Sequence, residues 1–443
     1  EYVTVTLEKQ KVELDDNLDR DIVGYYSKNG IVTISNAKFI NNKVEQETSG
    51  KYSYGGALYV IGGLTIKDSS FTNNSAYGVT SNAVHGGAVC HQDGALSIDN
   101  SIFDGNKVIN PTNKDGISND SYGAAIYSGG AGDVTIENST FMNQDGGRAI
   151  YIKAGDGSSK TATFRNNMFL NNKRGSIQAE NSNTTLNFED RNEFKDNVDT
   201  TGVIAETLFN KGTTNFKSGS ETIFSGNQLD IKNNGTINIE NGADVILGDG
   251  GMVGKGTVNV AGNLSGKVFV LESDTAKTAN SMVLNEGAIW NVTDDSVVSG
   301  IVSNGNVTID GVDGNSLTVN NTITEKGKYA ITHNSGTLTI KNLTIEDVIK
   351  EYNKQPANDN GLVYASVLYS NNDGKIYIED SFIQNNSNTG DCKNYAIIDV
   401  TTNMEVKNTE FKNNESSYMG GVLYLHNKEF TITNSTFEGN TAL

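Results

Sequence analysis

Residues 55–74 read GGALYVIGGLTIKDSSFTNN, and both halves of that stretch recur along the 443-residue chain. The second half is an apolar residue, a threonine, an apolar residue, a short polar step, a phenylalanine and, three residues on, an asparagine. It returns as VTISNAKFINN at 32–42, LSIDNSIFDGN at 96–106, VTIENSTFMNQ at 134–144, ATFRNNMFLNN at 162–172, MEVKNTEFKNN at 404–414 and FTITNSTFEGN at 430–440. LTIKNLTIEDV at 338–348 is a degenerate copy with Ile345 in the phenylalanine place, and weaker copies with a one-residue slip end at Phe194, Phe224 and Phe382. The first half returns as GGAVCH at 86–91, GAAIYS at 123–128, GRAIYI at 147–152 and GVLYLH at 421–426. The step from the glycine phrase to the next phenylalanine is nearly constant: Gly55 to Phe71, Gly86 to Phe103, Gly123 to Phe141. The step from the asparagine to the next glycine varies widely, from Asn414 to Gly421 up to Asn106 to Gly123. Insertions collect in one link of each repeat, which marks that link as an edge loop and the rest as fixed scaffold.

Each repeat holds two or three short strands with period-two alternation, so in LTI the Leu64 and Ile66 side chains share one face and Thr65 takes the other. One repeat cannot bury that face alone. Stacked repeats can, each adding a coil at ~4.8 Å. The pattern therefore predicts an all-β solenoid in which like residues lie above one another. Phe39, Phe71, Phe103, Phe141, Phe169, Phe411 and Phe437 form a buried stack, and Asn42, Asn74, Asn106, Asn172, Asn414 and Asn440 a ladder of amides at an inward turn. The turn favours Asn and Gly because both tolerate left-handed backbone. Residues 1–30 read as an N-terminal cap, 31–227 and 331–443 as coils with both phrases, and 228–330 as plainer coils of the same solenoid, the whole an elongated rod of on the order of 85 Å.

Composition agrees. Glycine supplies 48 residues and asparagine 59, but proline only 2, and a strand whose N–H groups are all needed by the next coil excludes proline. The net charge of -19 disfavours nucleic acid and anionic lipid. No apolar run is long enough for a membrane helix.

The alternation of GGA plus an aliphatic residue with FxxN resembles the repeats of chlamydial polymorphic membrane proteins and related adhesin-like proteins. GTINIENGA and GTVNVAGNL, in the middle stretch, look like passenger domains of bacterial autotransporters. The resemblance implies a right-handed parallel β-helix of the pectin-lyase-like kind, secreted or held at the cell surface by an outer-membrane anchor, with a role in adhesion and virulence. In such proteins the two tetrapeptides are associated with adhesion. Two departures stand out: no membrane-anchoring barrel follows Leu443, and the family's cysteine positions are mostly absent. The chain ends inside a repeat, FEGNTAL, and is read as a piece of something longer.

Candidate contact residues are tyrosines in or beside the variable links: Tyr52, Tyr54, Tyr77, Tyr122 and Tyr418, which either meet a ligand or cover the loop base. The loops at 107–122 and 351–361 hold the only two prolines and are the most adaptable surfaces. Cys90 takes the place of Tyr59, Tyr127 and Tyr151 in other copies, and lies roughly a dozen coils from Cys392, on the order of 50–60 Å, far beyond disulfide reach. His85, Cys90 and His91 suggest a metal, but neighbours on a strand face opposite ways. Turns such as those at Asp249 and Asp310–Asp313–Asn315 suggest calcium, without the repeated spacing of a calcium roll. Asp294–Asp295 and Asp15–Asp16 are adjacent pairs rather than carboxylates facing across a cleft. No cofactor, metal or catalytic residue is expected. The expected function is a non-enzymatic adhesin passenger contacting a protein or glycan of a host or neighbouring cell. The alternatives are a polysaccharide-degrading β-helix enzyme and a self-associating structural stalk.

Overall fold

A computed structural model of the chain describes residues 25–45, 53–78, 84–110, 121–274, 276–312, 314–319, 329–352, 363–390, 394–416, 420–426 and 428–442. Among these residues there is no helix, and the strands form parallel ladders: the protein is a parallel β-helix. It divides into two compact units, residues 1–236 with 247–250 and residues 237–246 with 251–443.

In the first unit a coil runs through a long strand, Leu58–Lys67, a short one, Ser70–Thr72, then Ser75–Tyr77 and, after the variable link, Val84–His85. Successive coils pair in register, apart from a shift between Lys28 and Gly30 in the first described strand. Val32 meets Leu64, which meets Leu96, then Val134, Ala162 and Leu186, all facing inward. Phe39, Phe71, Phe103, Phe141, Phe169, Phe194 and Phe224 stack with centroids 4.6–5.2 Å apart and rings within 11° of parallel. Phe194 and Phe224, read from sequence as slipped copies, are full members of the stack, because FKDN and FSGN keep the three-residue step to Asn197 and Asn227.

The second unit repeats the principle with different core residues. Leu264, Trp290 and Ile309 occupy one column, with the buried Trp290 Nε1 donating to the Gly266 carbonyl at 3.1 Å. In the last coils Ile345, Ile383, Phe411 and Phe437 form another. Here one expectation is corrected: Phe382 is not the core residue of its coil. It points outward, 44% exposed, and Ile383 takes the inward place three residues before Asn386. The last coil leaves Phe437 itself 44% exposed.

Polar ladders tie the coils together. Asn74 Nδ2 donates to the Phe39 carbonyl (2.9 Å), and Asn74 Oδ1 accepts the Asn42 N–H (3.0 Å). Asn106, Gln144, Asn172, Asn197 and Asn227 repeat that pattern, each against the coil before it. Asn386, Asn414 and Asn440 do so in the second unit. The left-handed residue of the turn is not the ladder asparagine but the one before it: Asn41, Asn73, Asn143, Asn171, Asn385 and Asn413 all have φ between 52° and 59°. Buried amide and carbonyl groups that would each cost ~1–3 kcal/mol unpaired are thereby satisfied. A second internal ladder, unmarked in the sequence reading, lies two residues before each phenylalanine: Ser69, Ser101 and Ser139 hydroxyls and the Asn167 amide accept from the coil before.

Candidate functional site

The glycine phrase sets the geometry of one lateral face of the first unit. Gly55 and Gly86 are left-handed (φ +60° and +68°), and a Cβ on Gly86 would lie 2.2 Å from the Val89 carbonyl oxygen. Gly87 is packed so that a Cβ would lie 2.1 Å from the Ala124 carbonyl oxygen. The sharp turn launches a strand whose first and third residues go inward and whose second goes outward. That outward residue forms a column, Tyr59, Cys90, Tyr127, Tyr151, Gln178, Phe209, Lys232, paired coil to coil.

At its first four positions the column is buried by an outer aromatic layer. Tyr54, His85 and Tyr122 align in register at the roots of the variable links. His85 stacks flat on Tyr127 at 4.2 Å and lies tilted against Tyr54 and Tyr122, both at 5.1 Å. Tyr122 leans on Tyr151 at 4.5 Å. Burial, followed by Glu180 and Tyr122, pushes the Tyr151 hydroxyl far above its usual range. Tyr54 is only 7% exposed, so the expectation of an exposed contact residue there gives way to a packing role. Tyr122 and Tyr77 remain half-exposed, and the Lys43 ammonium sits 5.4 Å from the Tyr77 ring. Tyr52 and Tyr418 lie outside the described residues, as do Cys392, Asp15, Asp16, Asp313 and most of the loops at 107–122 and 351–361.

Beyond Tyr151 the face becomes ionic. The Arg148 guanidinium lies 4.9 Å from the Phe209 ring, and the Lys211 and Lys232 ammonium groups 5.1 Å from it. Glu206 pairs with Arg148 and, at 2.6 Å, with Lys232, while Glu180 pairs with Lys211 at 3.0 Å. Burial pushes the Glu206 carboxyl up, but Arg148 and Lys232 outweigh it and hold the group below the usual carboxylate range. Nothing in the repeat pattern marked this cluster, because its charged residues fall at positions that vary from coil to coil. The only sequence signal was the replacement of tyrosine by Gln178, Phe209 and Lys232 along the column.

The residues considered for metal binding or catalysis separate. Cys90 faces the aromatic column, whereas His91, next to it, faces the interior, with Nε2 2.9 Å from the Gly62 carbonyl and Nδ1 3.1 Å from Ser128 Oγ. Burial and, after it, Lys160 pull the His91 pKa down to about 4, so Nε2 donates and Nδ1 accepts. Lys160 is itself buried, which brings its amine down to about 8 against the pull of Asp93 and Asp133, and it donates to the Gly129 carbonyl at 3.3 Å. Asp294 pairs with Lys267 at 2.8 Å, while Asp295 accepts the Ser316 N–H at 2.9 Å. Asp310 pairs with Lys341 at 2.9 Å, and Asp249 is exposed. Asp399 meets His426 Nε2 at 2.9 Å, and burial raises its carboxyl to about 6. Among the described residues no three His, Cys, Asp or Glu side chains converge as a metal cluster.

No family model, curated protein or solved structure matches the chain.

Proposed function

We propose that the chain is the passenger of a bacterial adhesin, displayed at the cell surface or secreted, and that it binds a protein or glycan of a host or neighbouring cell. The observation that carries this reading is the lateral face built from the glycine phrase. Four of its seven outward positions, which a solvated solenoid would fill with polar residues, are aromatic: Tyr59, Tyr127, Tyr151 and Phe209. The variable links end at Tyr54, His85 and Tyr122 on that same face. A rigid ladder with a decorated edge suits a surface-exposed binder, since the scaffold holds its shape while the links change. It also agrees with the resemblance of the GGA and FxxN phrases to adhesin repeats.

The test is the adherence of cells displaying the chain after 111–120 and 353–361 are each replaced by a short Gly-Ser linker, which leaves the strands Lys107–Ile109, Ser121–Tyr122 and Ile349–Tyr352 in place. The loop mechanism predicts a loss of adherence with the fold intact by circular dichroism. Unchanged adherence would remove the loops from the mechanism.

A further inference from the structure

The ionic end of the lateral face differs from an ordinary surface salt-bridge row in three ways. The cations are held: Arg148, Lys211 and Lys232 converge on one ring, Phe209, at 4.9–5.1 Å, where cation–π attraction fixes them before any ligand arrives. The charges are unequal: three cations face two carboxylates, Glu180 and Glu206, leaving an excess positive charge on a chain of net charge -19. A donor is left over: Arg148 spends its two terminal nitrogens on Gln178 and Glu206, while its buried Nε–H has no acceptor. Lys211 and Lys232 are about one-third exposed, so the cluster is reachable from solvent.

We propose that Arg148, Lys211 and Lys232 around Phe209 form a binding site for an acidic polysaccharide. The inference rests on the binding role proposed above and names its ligand class. A carboxylate or sulfate reaching Lys211 and Lys232 supplies the charge that balances the third cation. The hydroxyl-rich chain carrying it follows the column toward Tyr122. From the coil of Lys232 back to the coil that carries Tyr122 is four steps, ~19 Å, which is long enough to engage several consecutive sugars. An extended anionic polymer fits such a strip better than a single small anion, because its repeated charges meet Lys211 and Lys232 one after another while its sugar faces meet the half-buried rings of Phe209 and Tyr122.

The experiment is retention of the full chain on three immobilised polymers: heparin as the sulfated probe, hyaluronate as the carboxylated probe, and dextran as the neutral one. Wild type is expected to be held by at least one acidic polymer, to be released by salt, and to pass through dextran. Lys211→Glu with Lys232→Glu should weaken retention at least tenfold. Lys211→Met with Lys232→Met should weaken it less, and this milder pair keeps the test valid where the reversed charges disturb folding, with circular dichroism monitored for both. Passage of wild type through both acidic polymers, equal retention on dextran, or unchanged retention of both variant pairs overturns the assignment. Retention by an immobilised acidic peptide but by neither polysaccharide overturns it too. Cell adherence without polymer retention refutes this site and leaves the adhesin reading standing. Polymer retention without adherence to any cell does the reverse.

Discussion

Asn106 accepts the backbone N–H of Asn74 at 3.0 Å and returns its own amide to the Phe71 carbonyl at 2.9 Å, so each coil completes the turn of the coil before it. Asn106→Ala would strand that N–H and that carbonyl in the interior, at a cost of ~1–3 kcal/mol. Asn106→Gln should cost much less, because Gln144 already fills the equivalent position and makes the same two bonds. Thermal unfolding, with amide exchange at Asn74 as the local probe, distinguishes the two. Equal destabilisation by both variants would mean that the ladder bonds do not set the cost.

Phe103 is fully buried between Phe71 and Phe141. Phe103→Ala should lose ~3–5 kcal/mol. Phe382→Ala, at an outward position, should stay within about 0.5 kcal/mol, while Ile383→Ala should behave as a core truncation of ~2–5 kcal/mol. Denaturant titration of the three variants checks the register of that coil, and a large effect at Phe382 would contradict it.

The two kinds of glycine should separate on substitution. Gly86→Ala meets a left-handed backbone and a Cβ contact of 2.2 Å with the Val89 carbonyl oxygen. Gly219→Ala has the same handedness (φ +78°) but nothing within 4 Å, so only the backbone term remains, ~1–2 kcal/mol. Melting temperatures should fall clearly further for Gly86→Ala.

Stability should depend on pH through Lys160. Its folded pKa, lowered from 10.5 to about 8, means that the unfolded chain binds more protons between those values. Stability therefore rises with pH across about 8 to 10.5 and is lost again as pH falls through 8, by roughly 3 kcal/mol in all. Lys160→Met should flatten that slope. Asp399, raised from 3.8 to about 6, works in the other window: its contribution is present below 3.8 and is lost as pH rises through 6, and Asp399→Asn should remove that dependence. Denaturation midpoints across pH 3 to 11 check both signs.

The scaffold was largely written in the repeat. A phenylalanine followed three residues later by an asparagine is enough to place both ladders, since one residue must reach the core and the other the turn. At Phe382 the signal is present but masked: counting back three from Asn386 gives Ile383, and the apolar residue beside it points outward. The serine ladder at Ser69, Ser101 and Ser139 was harder to see. A small polar residue in a polar step looks like any solvated turn until the neighbouring coil supplies its partner. The lateral face was legible only in part. Tyr59, Cys90, Tyr127 and Tyr151 share a sequence position, but whether Tyr54 is exposed depends on how the layer from the next coils covers it. The cluster at Phe209 joins residues from four coils, which no local pattern encodes.

The most direct measurement of the central claim, that this β-helix binds cell-surface ligands through its lateral face and links, is retention of beads carrying the purified chain on a panel of cells and glycans, competed by the soluble chain. The account predicts saturable retention on at least one surface, abolished by the soluble competitor and reduced when 111–120 and 353–361 are replaced by short linkers. Folded protein that is retained on no surface, or that releases oligosaccharide from the glycans, would contradict it.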